Sequence, residues 1–482
     1  MSTVSSREEE KAGYAAISYV CDKHERSLSA DTVRTNGVHE EEQTGCAAVA
    51  CLCNKRERSL SADTVRCYNE LTAKGEFGLE MESLRVDQIG ALAKTPHPFA
   101  GRKNITRDFC ENQTEVITDV FDNIGDMLSQ LHTLRSEVTA KLEENGELLW
   151  RFSNPPAFSD PDDIAIADFK GSVYRDYLAQ KYGKVKMLLS GIHLNYSLPA
   201  DTVSELARAS GKDKRRFQDE LYLSLAAGLL RYSWLIVYLT AASPVLDPSF
   251  VKFGGINENA IDKYASVRCS EVGYWNFFTP TFDFSSLDAY IKSIGRYIDS
   301  GDFISCSEIY YPIRVKPRGK YGLDELEEFG INHVELRMID LNPLSPLGVF
   351  EKDIEFIHLL IIYLLNLELP LPDECEQIEA VNNMKTAALF DTESAVSFGG
   401  RTLSVKNAAG KELEKLYSFA QRYCPEYLAA VKYQLSKSCN ESYSHIIRRL
   451  FSDDYMHKGM TLAKQYQGSD LNVHAFCGNF EK

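Results

Sequence analysis

The chain has 482 residues, and 69 acidic against 53 basic side chains leave a formal net charge of −16. That balance excludes a general nucleic-acid binder, which needs a basic footprint, and discourages docking on an anionic membrane. Hydrophobic residues make up 44% of the chain, enough to bury a large core in the manner of ordinary globular proteins.

The N-terminus, MSTVSSREEEK, is acidic and has no apolar run, so no signal peptide is expected and the cytoplasm is the expected location. The decapeptide ERSLSADTVR stands at 25–34 and again at 57–66. Two copies are too few for a solenoid. They read as a local duplication inside an N-terminal extension, residues 1–70, ahead of one main domain over 71–482. The 12 cysteines are scattered without a regular framework, which suits free thiols in a reducing compartment. Cys46, Cys51 and Cys53 form the densest cluster, but a Cys-x-Cys without a second matching pair is a weak zinc signature.

Phe77 to Val86 (FGLEMESLRV) alternates as a strand does. Asn123 to Glu143 places Ile124, Leu128, Leu131 and Leu134 at helical spacing. Ser153 to Asp163 is a Pro- and Asp-rich loop. Val173 to Gly183 predicts a helix stopped by Gly183, and Met187 to Leu198 a strand. Lys212 to Ala242 predicts a long helix ending before Pro244. Its apolar part, Leu221 to Ala242, could span a bilayer by length. Arg231 near the middle would cost about 3 kcal/mol in lipid, so a buried helix is the better reading. Ser285 to Ser300 predicts a helix, His333 to Ile339 a strand, Asp353 to Leu367 a helix, and the C-terminal third is largely helical. The strands follow no regular βαβ rhythm, which points to an α+β fold. With no GxGxxG and no GxxxxGK[ST] in the sequence, a nucleotide site must be of another kind.

Strands carry the polar motifs. Glu80 and Glu82 point to one face of theirs, where paired carboxylates repel and favour a hard cation; a solvated strand face is the plain alternative. Thr106 to Glu115 offers Asp108, Glu111 and Glu115. His193, Asn195 and Ser197 share one face of an otherwise apolar strand. Glu335 and Arg337 share another, as a local ion pair would also require. Singly, none of these is specific. Together they are the inventory for metal-bound polyphosphate, with carboxylates for the ion and an arginine for the transferring phosphoryl.

The phrases FGLEMESLRV, ITRDFCENQTEVIT, SGIHLNYSL, SVRCSEVGYWN, YYPIR and HVELRMIDLNPLSPLGV occur in this order. They resemble the bacterial type of glutamate–cysteine ligase (γ-glutamylcysteine synthetase), and most closely the ligase half of the bifunctional glutathione-synthesising enzymes. The resemblance runs from Phe77 into the helices after Asp353. It implies a glutamine-synthetase-like α+β fold, a curved and mainly antiparallel sheet surrounded by helices, over a catalytic domain at 71–482. It implies an ATP-dependent carbon–nitrogen ligase that phosphorylates the γ-carboxylate of glutamate and passes it to the amine of cysteine, the first step of glutathione biosynthesis. ATP is then a co-substrate and Mg²⁺ the metal, with Mn²⁺ an alternative. Glu80, Glu82, Asp108, Glu115, His193 and Glu335 match metal-site positions. Arg337 matches the arginine that faces the phosphates, with Glu335 beside it. Arg268, Tyr274, Tyr310 and Tyr174 match positions lining the amino-acid pocket. The implied partners are L-glutamate, L-cysteine and ATP, with no nucleic acid and no membrane. No second, ATP-grasp domain is visible, so a separate glutathione synthetase is expected for the next step. Trp275 stands where the family usually has a small residue, and Asn154 where it has an apolar one. A different amine acceptor and a catalytically silent regulatory paralogue stay open as alternatives.

Overall fold

Alternation along one strand sets the layout. β1 (Glu76–Asp87) sends Phe77, Leu79 and Met81 into the larger apolar core. Its other face carries Glu80 and Glu82, then Leu84 and Val86, which enter a second core. The acidic pair therefore sits at the mouth of a buried layer. Such alternation is what a strand covered on both sides requires.

The computed structural model describes residues 70–99, 101–167, 172–258, 261–439 and 441–467. The duplicated segment, the Cys46, Cys51 and Cys53 cluster, and nearly all of the 1–70 extension lie outside the described residues. β1 is joined by β2 (Ile105–Thr106), β3 (Gln113–Ile117), β4 (Glu147–Leu149), β5 (Gly191–Ser197), β6 (Ile313–Lys316) and β7 (His333–Asp340). The order is β2-β3-β1-β5-β7-β6, with β4 on the far end of β1, and these pairings are antiparallel.

Helices α1 (Ile124–Glu144), α2 (Ser172–Tyr182), α3 (Lys214–Thr240), α4 (Glu351–Leu365) and α5 (Glu374–Ala387) surround the sheet. Asn123 caps α1 by accepting from the Asp126 amide, and Asp213 caps α3 by accepting from the Arg216 amide. α3 is long and apolar enough to cross a membrane, yet 83% of that stretch is buried inside the protein. Arg231 on it pairs with Glu376 of α5 at 3.1 Å. The buried-helix expectation holds. The second core is closed by α6 (Tyr443–Phe451) and α7 (Tyr455–Gln465). Phe451 and Tyr455 pack edge-on against Phe152, and Tyr455 also against Trp150.

One expectation needs correction. The strand expected over 187–198 begins only at Gly191, because Val185–Leu188 coils into a 3₁₀ turn and β1 offers no partner before Ile192. The C-terminal third is largely helical, as expected; within it β8 (Ala395–Phe398) and β9 (Arg401–Ser404) form a hairpin around Gly399 and Gly400, both at positive φ, which favours a tight turn. Cys110, Cys269, Cys306, Cys375 and Cys424 are free thiols, as expected.

A Cβ on Gly459 of α7 would run into the Trp150 ring, which is fully buried and has nowhere to move. Helix propensity alone favours Gly→Ala by about 0.5–1 kcal/mol. Overpacking against a fixed indole costs about 1–3 kcal/mol. Gly459→Ala should therefore lower the urea midpoint rather than raise it.

Candidate active site

Cross-strand register builds the site. Glu80 stands opposite His193, and Asn195 of the same strand stands opposite Glu335. Glu335 in turn faces Arg314, and Glu82 faces Glu115. Side chains directly opposite one another lie about 5 Å apart at Cβ, so the sheet itself gathers these groups. The β5–β7 register shifts between Ile192 and Leu194, so that Arg337 and Met338 oppose His193 alone. Bulges of this kind re-aim a side chain, and here Arg337 is turned beside Glu335.

Ligand atoms of Glu80, His193 and Glu335 lie within 4.8 Å of one another. His193 Nδ1 is 3.2 Å from Glu80 Oε2 and 3.8 Å from Glu335 Oε1. Its Nε2 is 3.8 Å from Glu82 Oε1. Asn195 donates to Glu80 Oε1 at 3.0 Å, and the Gly191 amide donates to Glu82 Oε2 at 3.0 Å. Burial and the neighbouring Arg337 hold the His193 imidazole down at about 4. It is therefore neutral near pH 7, the form that ligates metal. Burial is the largest influence on the Glu80 carboxylate and works against it, but the His193 hydrogen bond together with the charges of His193 and Lys316 brings the net shift downward.

Charge is distributed unevenly. Glu335 is fully buried, and burial alone would raise it; Arg337, Lys316, His193 and Arg314 overcome that and hold it well below the usual carboxylate range. Arg337 donates to Glu335 Oε2 at 3.0 Å, Lys316 lies 3.1 Å from Oε1, and Arg314 lies 4.0 Å from Oε2. On the other side, burial and the charge of Asp108 push Glu82 up to about 8. Burial likewise raises Asp108, and burial with Asp108, Glu80 and Glu82 raises Glu115. Carboxyls crowded in this way are short of positive charge. Carboxylate oxygens with a neutral imidazole, all within reach of one ion, fit a divalent cation that completes its shell with water.

Arg268 lies flat over Gly191, where any Cβ would overlap the guanidinium. Its Nη1 donates to the carbonyls of Arg337 and Ile339, and its Nη2 approaches His193 Nε2 at 3.4 Å. The loop that carries it is tied down by Asp340, which accepts from the Ala242 amide and the hydroxyls of Ser243 and Ser266. Asn154 fixes the neighbouring segment that follows α3 through the carbonyls of Ser243 and Val245. A small cavity opens between Arg268, Arg337, Tyr274, Trp275 and Tyr310. Two buried polar atoms on its lining, Arg268 Nε and Tyr310 Oη, have no hydrogen-bond partner.

The structure thus brings Glu80, Glu82, His193, Glu335 and Arg337 together, with Arg268, Tyr274 and Tyr310 at the adjoining cavity. Asp108 and Glu115 stand outside the tight three-ligand group and act on it through charge. Tyr174 on α2 is not among the residues lining the cavity; it hydrogen-bonds Ser305 and adds to the field on Tyr310. Sequence reasoning passed over Arg314, Lys316 and Gly191. The signal for the first two was the alternation in Ile313-Arg314-Val315-Lys316, which puts both cations on one face.

A family model, Glutamate-cysteine ligase, matches residues 64–304 and 303–387. The chain belongs to the glutamate–cysteine ligase family. The glutathione biosynthesis bifunctional protein of Listeria welshimeri is 37% identical over 384 residues, 74% of this chain and 48% of that protein. Its counterpart in Clostridium perfringens is 32% identical over 427 residues, 83% of this chain and 55% of that one. The chain spans about half the length of the curated relatives it matches. A bifunctional glutathione synthetase from Pasteurella multocida superimposes with a TM-score of 0.72 at 29% identity, over 83% of this chain and 53% of that one. Glutamate–cysteine ligase from Francisella tularensis, solved in complex with AMP, gives a TM-score of 0.74 at 22% identity, over 83% and 91%. The glutamine-synthetase-like α+β arrangement implied by the sequence resemblance holds.

Glu82 makes stability depend on pH. Folded, it keeps its proton up to about 8, against an ordinary value of 4.5. The folded state then binds more protons than the unfolded state between those values, so stability falls as pH rises across that window. In chelator, the melting temperature should be lower at about pH 9 than at about pH 5. Glu82→Gln, which keeps the acceptor for Gly191 and removes the charge, should flatten the slope. A slope unchanged by that substitution would assign it to other groups.

Proposed function

We propose that this chain joins the γ-carboxylate of glutamate to the amine of L-cysteine at the expense of ATP, through a γ-glutamyl phosphate. One observation carries the reading. Arg337, paired with Glu335, and Arg268, beside His193, join the Glu80–His193–Glu335 cluster to a neighbouring cavity whose lining residues include two unpartnered buried polar atoms. Those parts suit a polyphosphate and an amino acid brought side by side.

Glu80, Glu82, His193 and Glu335 would hold Mg²⁺, with Mn²⁺ also suited to the imidazole, and Asp108 and Glu115 would add negative charge behind them. Held there, such an ion would supply positive charge against the phosphate oxygens. Arg337 is held by Glu335 with its guanidinium already oriented, so it can meet charge developing on a transferring phosphoryl group without reorganising. Arg268 offers a fixed cation, and Tyr310 a free hydroxyl, to an amino-acid carboxylate. Tyr274 and Tyr174 belong to the same proposed pocket.

The reaction balances in two displacements. A γ-carboxylate oxygen of glutamate attacks the terminal phosphorus of ATP, and ADP leaves. The neutral amine nitrogen then attacks the acyl carbon; the C–O bond to phosphate breaks, phosphate departs with the electron pair and takes up the proton that the nitrogen releases, and an amide remains. The acyl phosphate must be kept from water between the steps, which accords with the burial of Glu335 and the packed aromatic walls of the cavity. An ATP-consuming reaction whose second substrate carries a free thiol suits the cytoplasm as its location. Completing glutathione requires a synthetase activity as well. The relative solved with AMP and those named for glutathione biosynthesis support the same reading.

The decisive assay is phosphate release with Mg²⁺, ATP and glutamate, with and without cysteine, and the product identified by mass. Cysteine-dependent release of γ-glutamylcysteine is expected; release that ignores cysteine would overturn the assignment. Arg337→Ala should lower kcat by about 10²–10³-fold, as removal of one preorganised transition-state donor does. Gly191→Ala should push Arg268 off its seat and raise the KM of an amino-acid substrate by about 10–100-fold, the equivalent of about 1.4–2.8 kcal/mol for a charge-assisted hydrogen bond.

A further inference from the structure

We infer that Trp275 is the end wall of the acceptor pocket and sets the length of side chain that the incoming amine can carry. This inference rests on the ligase reading above and names the residue that limits its second substrate.

The cavity lining is of two kinds. Arg268 and Arg337 bring cations to it, and Arg268 Nε and Tyr310 Oη are buried without partners; such donors are costly to leave unmet. They suit an oxygen-rich anion, which the carboxylate of an amino acid supplies. The remaining lining residues are aromatic or weakly polar: Tyr274, Trp275, Tyr311, Pro312 and Cys269. The Cys269 thiol is no reactive group here, since burial pushes it up to about 12 and it donates to the Met338 carbonyl at 3.2 Å. An amino acid held by its carboxylate at the arginines then has Trp275 among the walls left to its side chain.

The indole cannot step aside easily. Its Nε1 donates to the Ser270 carbonyl at 2.7 Å, which closes a turn tightened by the Gly273 amide on the Ser270 carbonyl at 3.1 Å. Lys385 of α5 lies 5.4 Å over the ring, a cation–π contact that holds the outer face. Gly273 has no room for a Cβ beside the Arg268 carbonyl and the indole nitrogen, so the turn is pinned from within. A rigid aromatic wall makes each added methylene felt: one is worth about 10–200-fold in discrimination. The pocket accordingly takes a side chain of cysteine or 2-aminobutyrate size and rejects homocysteine and methionine.

The test compares kcat/KM for L-cysteine and L-2-aminobutyrate with that for L-homocysteine and L-methionine, in the full-length unaltered protein and in Trp275→Ala. The unaltered protein should favour the short pair, and Trp275→Ala should shift the ratio toward the long pair by about tenfold or more. A ratio that stays fixed, or losses that are parallel for all four amines, overturns the inference while leaving the ligase reading intact. No turnover of any of the four by the unaltered protein would refute the ligase reading, and this inference with it. Trp275→Phe guards against misfolding, because it keeps a wall and removes only part of the bulk; it should shift the ratio less than Trp275→Ala. A binding readout is independent of turnover. Of the three tryptophans, Trp150 and Trp234 are fully buried in the cores. 2-Aminobutyrate added in the presence of Mg²⁺, ATP analogue and glutamate should change the intrinsic fluorescence of the unaltered protein but not of Trp275→Phe. An unchanged signal in both, under conditions where turnover saturates, would remove Trp275 from the pocket.

Discussion

The rest of the site depends on one electrostatic problem: keeping Glu80, Glu82, Asp108, Glu115 and Glu335 together on one side of a largely buried sheet. Two like charges 4 Å apart repel by about 4 kcal/mol at an effective dielectric of 20. A whole domain is stable by only about 5–15 kcal/mol, so this repulsion cannot be left unanswered. The chain answers it differently on the two sides. At Glu335, guanidinium and ammonium groups from β6 and β7 supply fixed positive charge. At Glu82, Asp108 and Glu115, retained protons reduce the charge. The first arrangement is permanent; the second is one that a divalent cation can displace. The site is thus poised along a gradient, basic toward β6 and proton-laden toward β3.

Holding such a site still takes packing away from it. β1 is fixed from both faces, by the larger core behind Leu79 and Met81 and by the second core behind Leu84 and Val86. Arg85 on the same strand is fully buried and pairs with Glu147 of β4 at 2.6 Å, which locks the far end of β1. Asp340 does the equivalent for β7 by collecting hydrogen bonds from the loop that presents Arg268. β1 and β7 are therefore each anchored beyond the site by a buried polar network, and such networks help to specify one structure.

Much of this was legible before any coordinates. The strand character of residues around Glu80, His193 and Glu335 followed from alternation, and alternation also gave the shared face of each pair. Long apolar periodicity gave α1, α3 and α4 within a few residues. What could not be read was pairing. Nothing in the sequence says that Glu80 lies across from His193, or Glu335 across from Arg314, because register belongs to the partner strand. The bulge that turns Arg337 is a mismatch between two strands and leaves no mark on either alone. β6 was passed over because Ile313–Lys316 is only four residues long, no longer than a β-turn, and follows a proline. Gly191 read only as a residue within the strand expected over 187–198; its real meaning, a seat for Arg268, appears only when a side chain from far along the chain arrives on top of it.

The second core carries a consequence for how the chain is made. Its inner members, Trp150 and Asn154, are met by Gly459 and by the Tyr455 hydroxyl, which donates to the Asn154 carbonyl across 301 positions of sequence. Contacts this distant in sequence are slow to find, since the entropy of closing the intervening loop is lost before the contact is won. On a ribosome, domains emerge from the N-terminus, so β1 and the strands around it would wait with one face uncovered until α6 and α7 follow. During that interval the acidic pair borders open apolar surface, and its crowded charge acts as a gatekeeper that keeps the waiting sheet from joining a neighbour's. The charge that burdens the finished site thereby protects the unfinished one.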